Sequence, residues 1–411
     1  MKLLFVHQHL GAFGGAESNI LLSATELGQR GHQLSLLHGS ATGKNEAAWR
    51  QAFPQCFQFP AAHQQQSLSQ LLSQLQPDLI YLHKLEDLDA MERLIDSGFP
   101  TVRMVHDHDM YCMRSYKYNY FTRQICTRAA SLYCIFPCLG CVTRNRQGRL
   151  PLKWASYRAR RREIRLNQRC SRLVAYSEYA RQELVRNGFA PDKIQICVPI
   201  RCPQENQLSS LSSRNLILYA GQIIRGKGVD LLLRALSQVR VPFECFILGD
   251  GSHRAHCEQL SARLGLNDRV RFLGFVPQEE LKQYYLQASV FTISSVWPEP
   301  FGMVGPEAMR FGVPVVGFNA GGIGEWLLDG ENGFLVPWKN CSLFAQRIEE
   351  LLTDKELAAR FGRAGRERVY RQYESSQQVL ELEKLFQRVL REHQTSETPT
   401  VSQLALCEAT V

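Results

Sequence analysis

Short apolar runs alternate with windows of helical spacing along most of the chain. The apolar run KLLFVH is followed by the glycine loop GAFGGAE, by a helical window that ends at Gly31 and by the apolar run QLSLLH. Downstream, NLILYA, GQIIRGKG, VDLLLRALSQV and FECFILG repeat this order. A strand, a glycine loop, a helix and a second strand are typical of a doubly wound sheet. The repetition predicts two Rossmann-like α/β domains.

Eight further apolar runs have the length of buried strands, and the windows between them are long enough for crossover helices. They are LIYL, TVRMVH, RLVAYS and KIQIC in the first half, and RVRFLG, VFTISS, VPVVGF and GFLVP in the second half. A parallel sheet is therefore expected in each half.

We expect the domain boundary near Pro203, because the surrounding RCPQENQLSSLSSRN is polar and lacks periodicity. The first domain would cover residues 1–203 and the second residues 204–373. Apolar positions three and four apart predict an amphipathic helix over 374–391. Residues 392–411 show no clear period and predict a flexible tail.

Composition excludes the collagen-like, low-complexity and disordered classes, because 45% of the 411 residues are hydrophobic and 21% are charged. No run of 18 apolar residues occurs, and His7, Gln8 and His9 stand where a signal peptide needs apolar residues. The 13 cysteines are an odd number and are scattered, which suits a reducing compartment. We therefore expect a cytoplasmic protein with mostly free thiols.

The formal charge of +9 is concentrated in one segment. From Arg144 to Arg172 there are eleven Lys or Arg and one acid, Glu163, so the rest of the chain sums to −1. In the basic helix expected over 153–172, six arginines would form one stripe. That stripe predicts an anionic partner, either a phospholipid surface or a phosphate-bearing acceptor; no nucleic-acid motif accompanies it. The six are Arg158, Arg161, Arg162, Arg165, Arg169 and Arg172.

Residues 112–141, here called the cysteine-rich loop, contain five cysteines without a clear core pattern. Four thiolates could form a structural zinc site, whereas small buried hydrophobic residues are the alternative. The spacing C-x3-C-x2-C also matches an iron–sulfur motif, but its position inside a Rossmann-like half argues against that. The five are Cys112, Cys126, Cys134, Cys138 and Cys141.

Two carboxylates eight residues apart, Glu299 and Glu307, lie in SSVWPEPFGMVGPEAMRFG. The first precedes a loop and the second lies in a helical run, so both can face one pocket beside the amides of Gly302, Met303 and Val304. The alternative is a solvated loop acid at Glu299 and a partner of the helix dipole at Glu307.

Three further features are typical of ligand-binding edges of α/β sheets. Lys227 in GQIIRGKG can place an ammonium beside loop amides on a diphosphate, although a plain turn with a solvated lysine is the alternative. Gly14 and Gly15 allow close approach of a ligand, or only a tight turn. His106 ends a strand, at the edge where ligands bind.

Taken in order, these segments resemble the retaining family 4 glycosyltransferases, including those of bacterial surface-glycan synthesis. The resemblance rests on GGAES, His106, VAYSEYARQELVRNGF, GQIIRGKGVD, LGDG, FLGFVP, the two spaced glutamates and GENGFLVP. It implies a GT-B fold, in which two Rossmann-like domains face each other across a cleft and the last helix crosses back to the first domain. It also implies that His106 contacts the donor sugar.

One position departs from that family. In that family, the residue after the first glycine of the loop GQIIRGKG is usually Arg, which pairs with the lysine at the position of Lys227. Here this residue is Gln222. Either Arg225 supplies the second cation or fewer charges hold the phosphates.

The resemblance implies a metal-independent hexosyltransferase with no required cofactor, which moves a sugar from a nucleotide diphosphate sugar to a glycan or lipid-linked acceptor. Glu299 would orient the sugar, Glu307 would bind the ribose, and backbone near Gly274 would read the base. Phosphate contacts would come from Lys227, Arg225 and the amides after Phe301. From the arginine stripe we expect a cytoplasmic protein that can attach peripherally to the cytoplasmic face of the membrane. Alternatives are a GT-B nucleotide-sugar epimerase and a non-catalytic membrane-associated binding protein.

Overall fold

The structure is a computed structural model that describes residues 1–12, 14–59, 66–119, 121–136, 138–144, 152–198, 205–211 and 214–397. Pro203, where the sequence predicts the domain boundary, lies outside these residues. Residues 205–211 contain no helix or strand, and they pack on the second domain through hydrogen bonds from Ser209 N to Phe311 O and from Ser210 N to Leu286 O.

A seven-stranded parallel sheet with the order β3-β2-β1-β4-β5-β8-β9 forms the first domain, and a separate antiparallel pair, β6-β7, stands beside it. The strands are β1 Lys2–Leu10, β2 Gln33–Ala41, β3 Gln55–Gln58, β4 Leu79–Leu82, β5 Thr101–Met104, β6 Val142–Arg144, β7 Leu152–Trp154, β8 Arg172–Ala175 and β9 Ile194–Ile196. The helices are α1 Gly15–Gln29, α2 Glu46–Ala52, α3 Gln66–Leu75, α4 Leu88–Ile95, α5 Tyr157–Gln168 and α6 Glu178–Arg186.

The second domain contains a six-stranded parallel sheet with the order β12-β11-β10-β13-β14-β15. Its strands are β10 Leu216–Ala220, β11 Glu244–Leu248, β12 Val270–Gly274, β13 Val290–Ile293, β14 Val315–Phe318 and β15 Gly333–Val336. The helices that follow are α7 Val229–Leu236, α8 Arg254–Arg263, α9 Gln278–Tyr285, α10 Val304–Met309, α11 Cys341–Thr353, α12 Lys355–Tyr373 and α13 Ser375–Glu397.

Continuous burial explains why the predicted strands form. Strands β4, β5, β10, β13 and β14 are buried at every position, as expected for parallel sheets covered on both faces. In both sheets the strand order reverses beside the first strand, so the carboxyl ends of β1 and β10 mark the crevices where ligands bind in this architecture. The sequence prediction of two Rossmann-like domains facing each other across a cleft is confirmed.

Helix α13 crosses from the second domain to the first. Its Phe386 ring lies 5.0 Å from the Tyr81 ring of β4 in an edge-to-face arrangement. The backbone N–H of Val198 donates to Gln378 Oε1 at 2.9 Å. The helix extends to Glu397, so the prediction that a flexible tail begins at residue 392 is wrong for 392–397, and residues 398–411 lie outside the described part. No helix in the described residues is long and apolar enough to cross a membrane.

The basic segment does not form the single helix that the sequence predicts over 153–172. Residues 152–154 form β7, which pairs with β6, and helix α5 begins only at Tyr157 behind its cap Ser156. Arg169 caps the carboxyl end of α5, and Arg172 is the first residue of β8. The helical spacing of the six arginines therefore holds only as far as the end of α5.

The tip of the cysteine-rich loop, residues 121–123, docks on the second domain. The Arg123 guanidinium contacts both carboxylate oxygens of Asp230, at 3.1 and 2.9 Å, and both side chains are 11% exposed. Lys339 Nζ donates to Thr122 O at 2.7 Å. The loop of one domain thus supplies an ion pair to the first turn of α7 in the other.

We expect Arg123 and Asp230 to be energetically coupled, because neither charge is well solvated. In a double-mutant cycle with R123A and D230A, the coupling free energy should be about 0.5–3 kcal/mol by urea unfolding. The charge-swapped R123D/D230R should be more stable than either single reversal. The exposed pair Arg371–Glu367, 3.7 Å apart, is the control, and its coupling should lie near zero. Equal coupling free energies in the two pairs would contradict a contribution of the Arg123–Asp230 pair to the contact between the domains.

Candidate active site

Lys227 and Glu299 form an ion pair at the carboxyl edge of the second sheet. Lys227 Nζ lies 2.6 Å from Glu299 Oε1, and the same oxygen accepts a hydrogen bond from Ser295 Oγ. Glu299 is 5% exposed, so its charge needs these partners. The Lys227 ammonium also lies 5.0 Å from the centre of the Trp297 ring. The structure thus brings together two of the three predicted catalytic residues.

Glycine at position 228 allows the loop GQIIRGKG, residues 221–228, to bring Lys227 beside Glu299. Residues 225–227 form a 3₁₀ turn, and Gly228 then adopts φ 67° before α7. A Cβ at Gly228 would lie 2.0 Å from Ser294 O, so no other residue fits without a shift of the backbone. Because the amides of Val296 and Trp297 donate to Gly226 O, the loop that carries Lys227 and the loop that precedes Glu299 form one unit.

Two side chains of the first domain hold the backbone on either side of Glu299. The His108 ring nitrogen Nε2 donates to Pro298 O at 2.7 Å, and Ser177 Oγ donates to Pro300 O at 2.5 Å. Burial lowers the pKa of His108 to about 4, so its ring is neutral near pH 7. The position of the Glu299 carboxylate therefore depends on contacts between the domains.

His106 is partly buried and belongs to a chain of hydrogen-bonded rings. Its Nε2 lies 2.9 Å from His83 Nδ1, and its Nδ1 lies 2.7 Å from Tyr176 OH. Burial lowers its pKa to about 3, and burial lowers the pKa of His83 as well. Both ring nitrogens of His106 are thus occupied within the first domain, and a ring contact to a sugar would have to replace one of these hydrogen bonds.

The glycine loop after β1 faces the second domain. A Cβ at Gly15 would lie 2.9 Å from Met303 Cε, and one at Gly14 would lie 2.3 Å from Glu17 Oε2. Ser18 N donates to Gly14 O at 2.9 Å at the start of α1. Gly15 and Met303, both predicted to bind the donor, therefore lie against each other although they come from different domains.

The remaining predicted donor contacts of the second domain are Gln222, Arg225 and Gly274. Gln222 is exposed, and its carbonyl accepts from Tyr219 OH at 3.0 Å. Arg225 Nη2 reaches Phe121 O of the first domain at 3.4 Å. Gly274, at φ 78°, ends β12, and its carbonyl accepts from Gly249 N at 2.6 Å.

The segment after Glu299 turns sharply into α10. Phe301 is buried, and its carbonyl accepts from Trp326 Nε1 at 2.7 Å, while Gly302 adopts φ 84°. Val304 begins α10, and Glu307 lies within its six residues, with its amide bonded to Met303 O. The two predicted carboxylates are therefore placed on a loop and on a helix, as the sequence indicates.

The cysteine-rich loop is anchored by a buried ion pair. Lys117 Nζ lies 2.8 Å from Glu183 Oε2 of α6, and both side chains are 3% exposed or less. The described cysteines are free thiols. Among the residues that the structure describes, no group of three or more His, Cys, Asp or Glu is arranged to hold a metal ion.

Three of the six arginines of the predicted stripe are paired with acids, so only part of the stripe is available to an anionic partner. Arg162 lies 2.6 Å from an Asp89 oxygen and 2.5 Å from a Glu92 oxygen, and Arg169 pairs with Asp96. The sequence could not show this, because Asp89 and Glu92 of α4 and Asp96 at its carboxyl end lie at least 70 positions away.

Arg172 pairs with Glu392 of α13 at 2.7 Å. The other three arginines of the stripe are exposed, and no ion pair involves them in the described part of the chain. These are Arg158, Arg161 and Arg165.

Sequence reasoning missed the residues that support the predicted ones. Ser295 holds Glu299, His108 and Ser177 hold its backbone, and His83 and Tyr176 hold His106. One available signal was the position of His7, His83 and His106 at or near the ends of three apolar runs, because parallel strands end at one edge of a sheet. The contacts between domains leave no comparable local pattern.

Two family models match the chain in succession. The model "Glycosyltransferase Family 4" matches residues 13–197, and the model "Glycosyl transferases group 1" matches residues 203–368. Together they cover every strand of both sheets except β1.

Curated relatives match shorter regions. A glycosyltransferase of Methanocaldococcus jannaschii, itself uncharacterised, is 38% identical over 34% of this chain and 36% of its own length. The GDP-mannose-dependent alpha-(1-6)-phosphatidylinositol monomannoside mannosyltransferase of Mycolicibacterium smegmatis is 31% identical over 43% and 47%. The D-inositol 3-phosphate glycosyltransferase of Streptomyces scabiei is 31% identical over 49% and 50%. The chain thus spans about half or less of the length of these relatives.

Solved structures match over nearly the whole chain. HepE of Anabaena in complex with UDP and glucose has a TM-score of 0.72 at 21% identity, covering 94% of this chain and 100% of its own. The lipopolysaccharide biosynthesis glycosyltransferase WaaG has a TM-score of 0.65 at 16% identity, covering 93% and 99%. At these identities the likeness concerns the fold. With both family models matched in order on this fold, the chain belongs to the family 4 glycosyltransferases.

Proposed function

We propose that this protein is a retaining, metal-independent hexosyltransferase that moves a sugar from a nucleotide diphosphate sugar to an acceptor hydroxyl. The observation that carries the proposal is the Lys227–Glu299 pair at the cleft, whose backbone both domains hold. Relatives named for mannosyl and glycosyl transfer and neighbours solved with UDP support it. A lipid-linked acceptor fits the relative named for phosphatidylinositol monomannoside, and a surface-glycan acceptor fits the neighbour named for lipopolysaccharide biosynthesis.

In this mechanism the bond between the anomeric carbon and the phosphate oxygen breaks, and the acceptor oxygen bonds to the carbon on the same face. The acceptor proton goes to the departing diphosphate oxygen. Lys227 has further N–H donors besides the one aimed at Glu299, and these stabilise the charge on that phosphate. Glu299 faces the positive charge on the sugar and orients its hydroxyls.

The remaining roles follow the placement of each group. Arg225 is the second phosphate cation in the proposal, since Gln222 carries no charge. Backbone near Gly274 reads the base, and Glu307 binds the ribose hydroxyls. His106 contacts the sugar by exchanging Tyr176 for a sugar hydroxyl.

A panel of UDP, GDP, ADP and dTDP sugars, screened by thermal stabilisation and by hydrolysis, tests the proposal and identifies the donor. A product that forms only with acceptor supports transfer. Conversion of the donor sugar to its epimer without acceptor would favour the epimerase alternative, and stabilisation without turnover would favour a binding protein.

We expect Glu299→Gln and Lys227→Ala each to lower turnover by about 10² to 10³, the scale of one preorganised electrostatic group. Initial rates with the identified donor measure this, and circular dichroism checks the fold. Lys227→Ala leaves the buried Glu299 charge with fewer partners, so E299Q/K227A is the companion variant that removes this destabilisation. Near-normal turnover in folded single variants would exclude the catalytic assignment.

Glu307→Ala should mainly weaken nucleotide binding, by about 1.5–3 kcal/mol for a lost hydrogen bond to a charged group. Calorimetry with the nucleotide alone measures the change. Glu331→Ala, which removes an exposed acid from the same domain, is the matched control and should bind as the wild type does. Unchanged affinity in both variants would remove Glu307 from the site.

A further inference from the structure

One long stretch of the first domain carries positive charge with no acid to balance it. From Met110 to Arg162 the sequence contains twelve Lys or Arg and no Asp or Glu. Folding pairs some of these cations with acids from elsewhere, as Lys117 with Glu183 shows. Others stay exposed, so the positive charge of the stretch is only partly neutralised.

The same stretch exposes large apolar side chains. Leu132 is 70% exposed, and Phe136 and Trp154 are each 75% exposed. Leu132 and Phe136 lie one helical turn apart, since Phe136 N donates to Leu132 O at 3.2 Å. Large exposed apolar side chains that lie together are typical of a surface that contacts an apolar partner.

Backbone hydrogen bonds join these side chains to the unpaired part of α5. The turn at 132–136 is bonded to 138–140 through Cys138 N to Tyr133 O and Gly140 N to Cys134 O. Ala155 N, next to Trp154, donates to Cys141 O at 2.6 Å. Residue 156 then caps α5.

On α5, three exposed arginines at offsets 0, 3 and 7 share one face. We define the docking surface as Leu132, Phe136, Trp154, Arg158, Arg161 and Arg165.

We propose that the docking surface binds the interface of an anionic bilayer, with the apolar side chains at the acyl boundary and the arginines on lipid phosphates. Tryptophan and phenylalanine beside unpaired arginines fit a bilayer. The lipid phosphates and the acyl boundary of a bilayer are no further apart than the length of one side chain, so one surface can contact both. A soluble polyanion offers no counterpart for Trp154 and Phe136. The inference deepens the proposed function, since it places a lipid-linked acceptor next to the first domain.

The test uses the full chain and sedimentation with vesicles of phosphatidylcholine alone or mixed with phosphatidylglycerol. Wild type should bind the anionic vesicles, bind the neutral ones poorly and be released by salt. R158Q/R161Q/R165Q should lower the partition coefficient by about a hundredfold, at roughly a factor of five for each cation near the surface. F136A/W154A should lower it on anionic vesicles too.

The matched control is R162Q/R169Q/R172Q, which removes the same charge from arginines that acids already neutralise. It should bind at least ten times more tightly than the first triple variant. Equal losses in both triple variants, or undiminished binding in F136A/W154A, would overturn the proposal, as would binding of wild type to heparin but not to vesicles. Because the assay contains no donor or acceptor, its outcome is independent of whether sugar transfer is observed.

Discussion

The carboxylate of Glu299 is buried in one domain, and the backbone that presents it is fixed by the other. His108 and Ser177 donate to the carbonyls of Pro298 and Pro300, so the backbone on either side of the acid has a partner across the cleft. Because Glu299 is buried, its carboxylate has lost most of its contact with water and needs donors close by. A buried carboxylate is stable only beside donors, and Lys227 and Ser295 supply them. The site is therefore complete only when the two sheets are held at this separation.

Several elements hold that separation by different interactions. Helix α13 packs Phe386 against Tyr81 of the first sheet, which is an apolar contact. Glu325 of the second domain accepts the amides of Glu178 and Tyr179 at the start of α6, at 2.9 and 2.8 Å. A carboxylate at a helix amino end is favourable because it satisfies free amides and opposes the helix dipole.

Packing of the first domain divides the arginines of the stripe into paired and unpaired ones. Arg162 of α5 and Arg169 at its carboxyl end meet acids at α4, whereas Arg158, Arg161 and Arg165 are exposed and pair with no acid among the described residues. This division assigns two roles to one stretch of sequence. The paired arginines join α5 to α4, and the unpaired ones lie beside exposed apolar side chains at the surface.

The amino-acid pattern predicted all six strands of the second sheet and six of the seven in the first, because an apolar run between turn signals is buried whichever neighbours it finds. It did not show the edge strand β3, Gln55–Gln58, which is too polar to stand out as an apolar run. It also placed Glu299 and Glu307 on a loop and a helix, and Lys227 on a glycine turn, since these depend on local spacing. It did not show that β6 and β7 interrupt the basic segment, because three-residue strands leave no period.

The pairing of charges depends on how the helices and sheets pack. The partners of Arg162, Arg169 and Arg172 come from α4 and α13, and those of His106 come from the ends of neighbouring strands. Tertiary packing also decided that Glu299 depends on His108 and Ser177. Hydrogen bonds and ion pairs act over a few ångströms, and the chain brings distant residues within that range only after the sheets have formed.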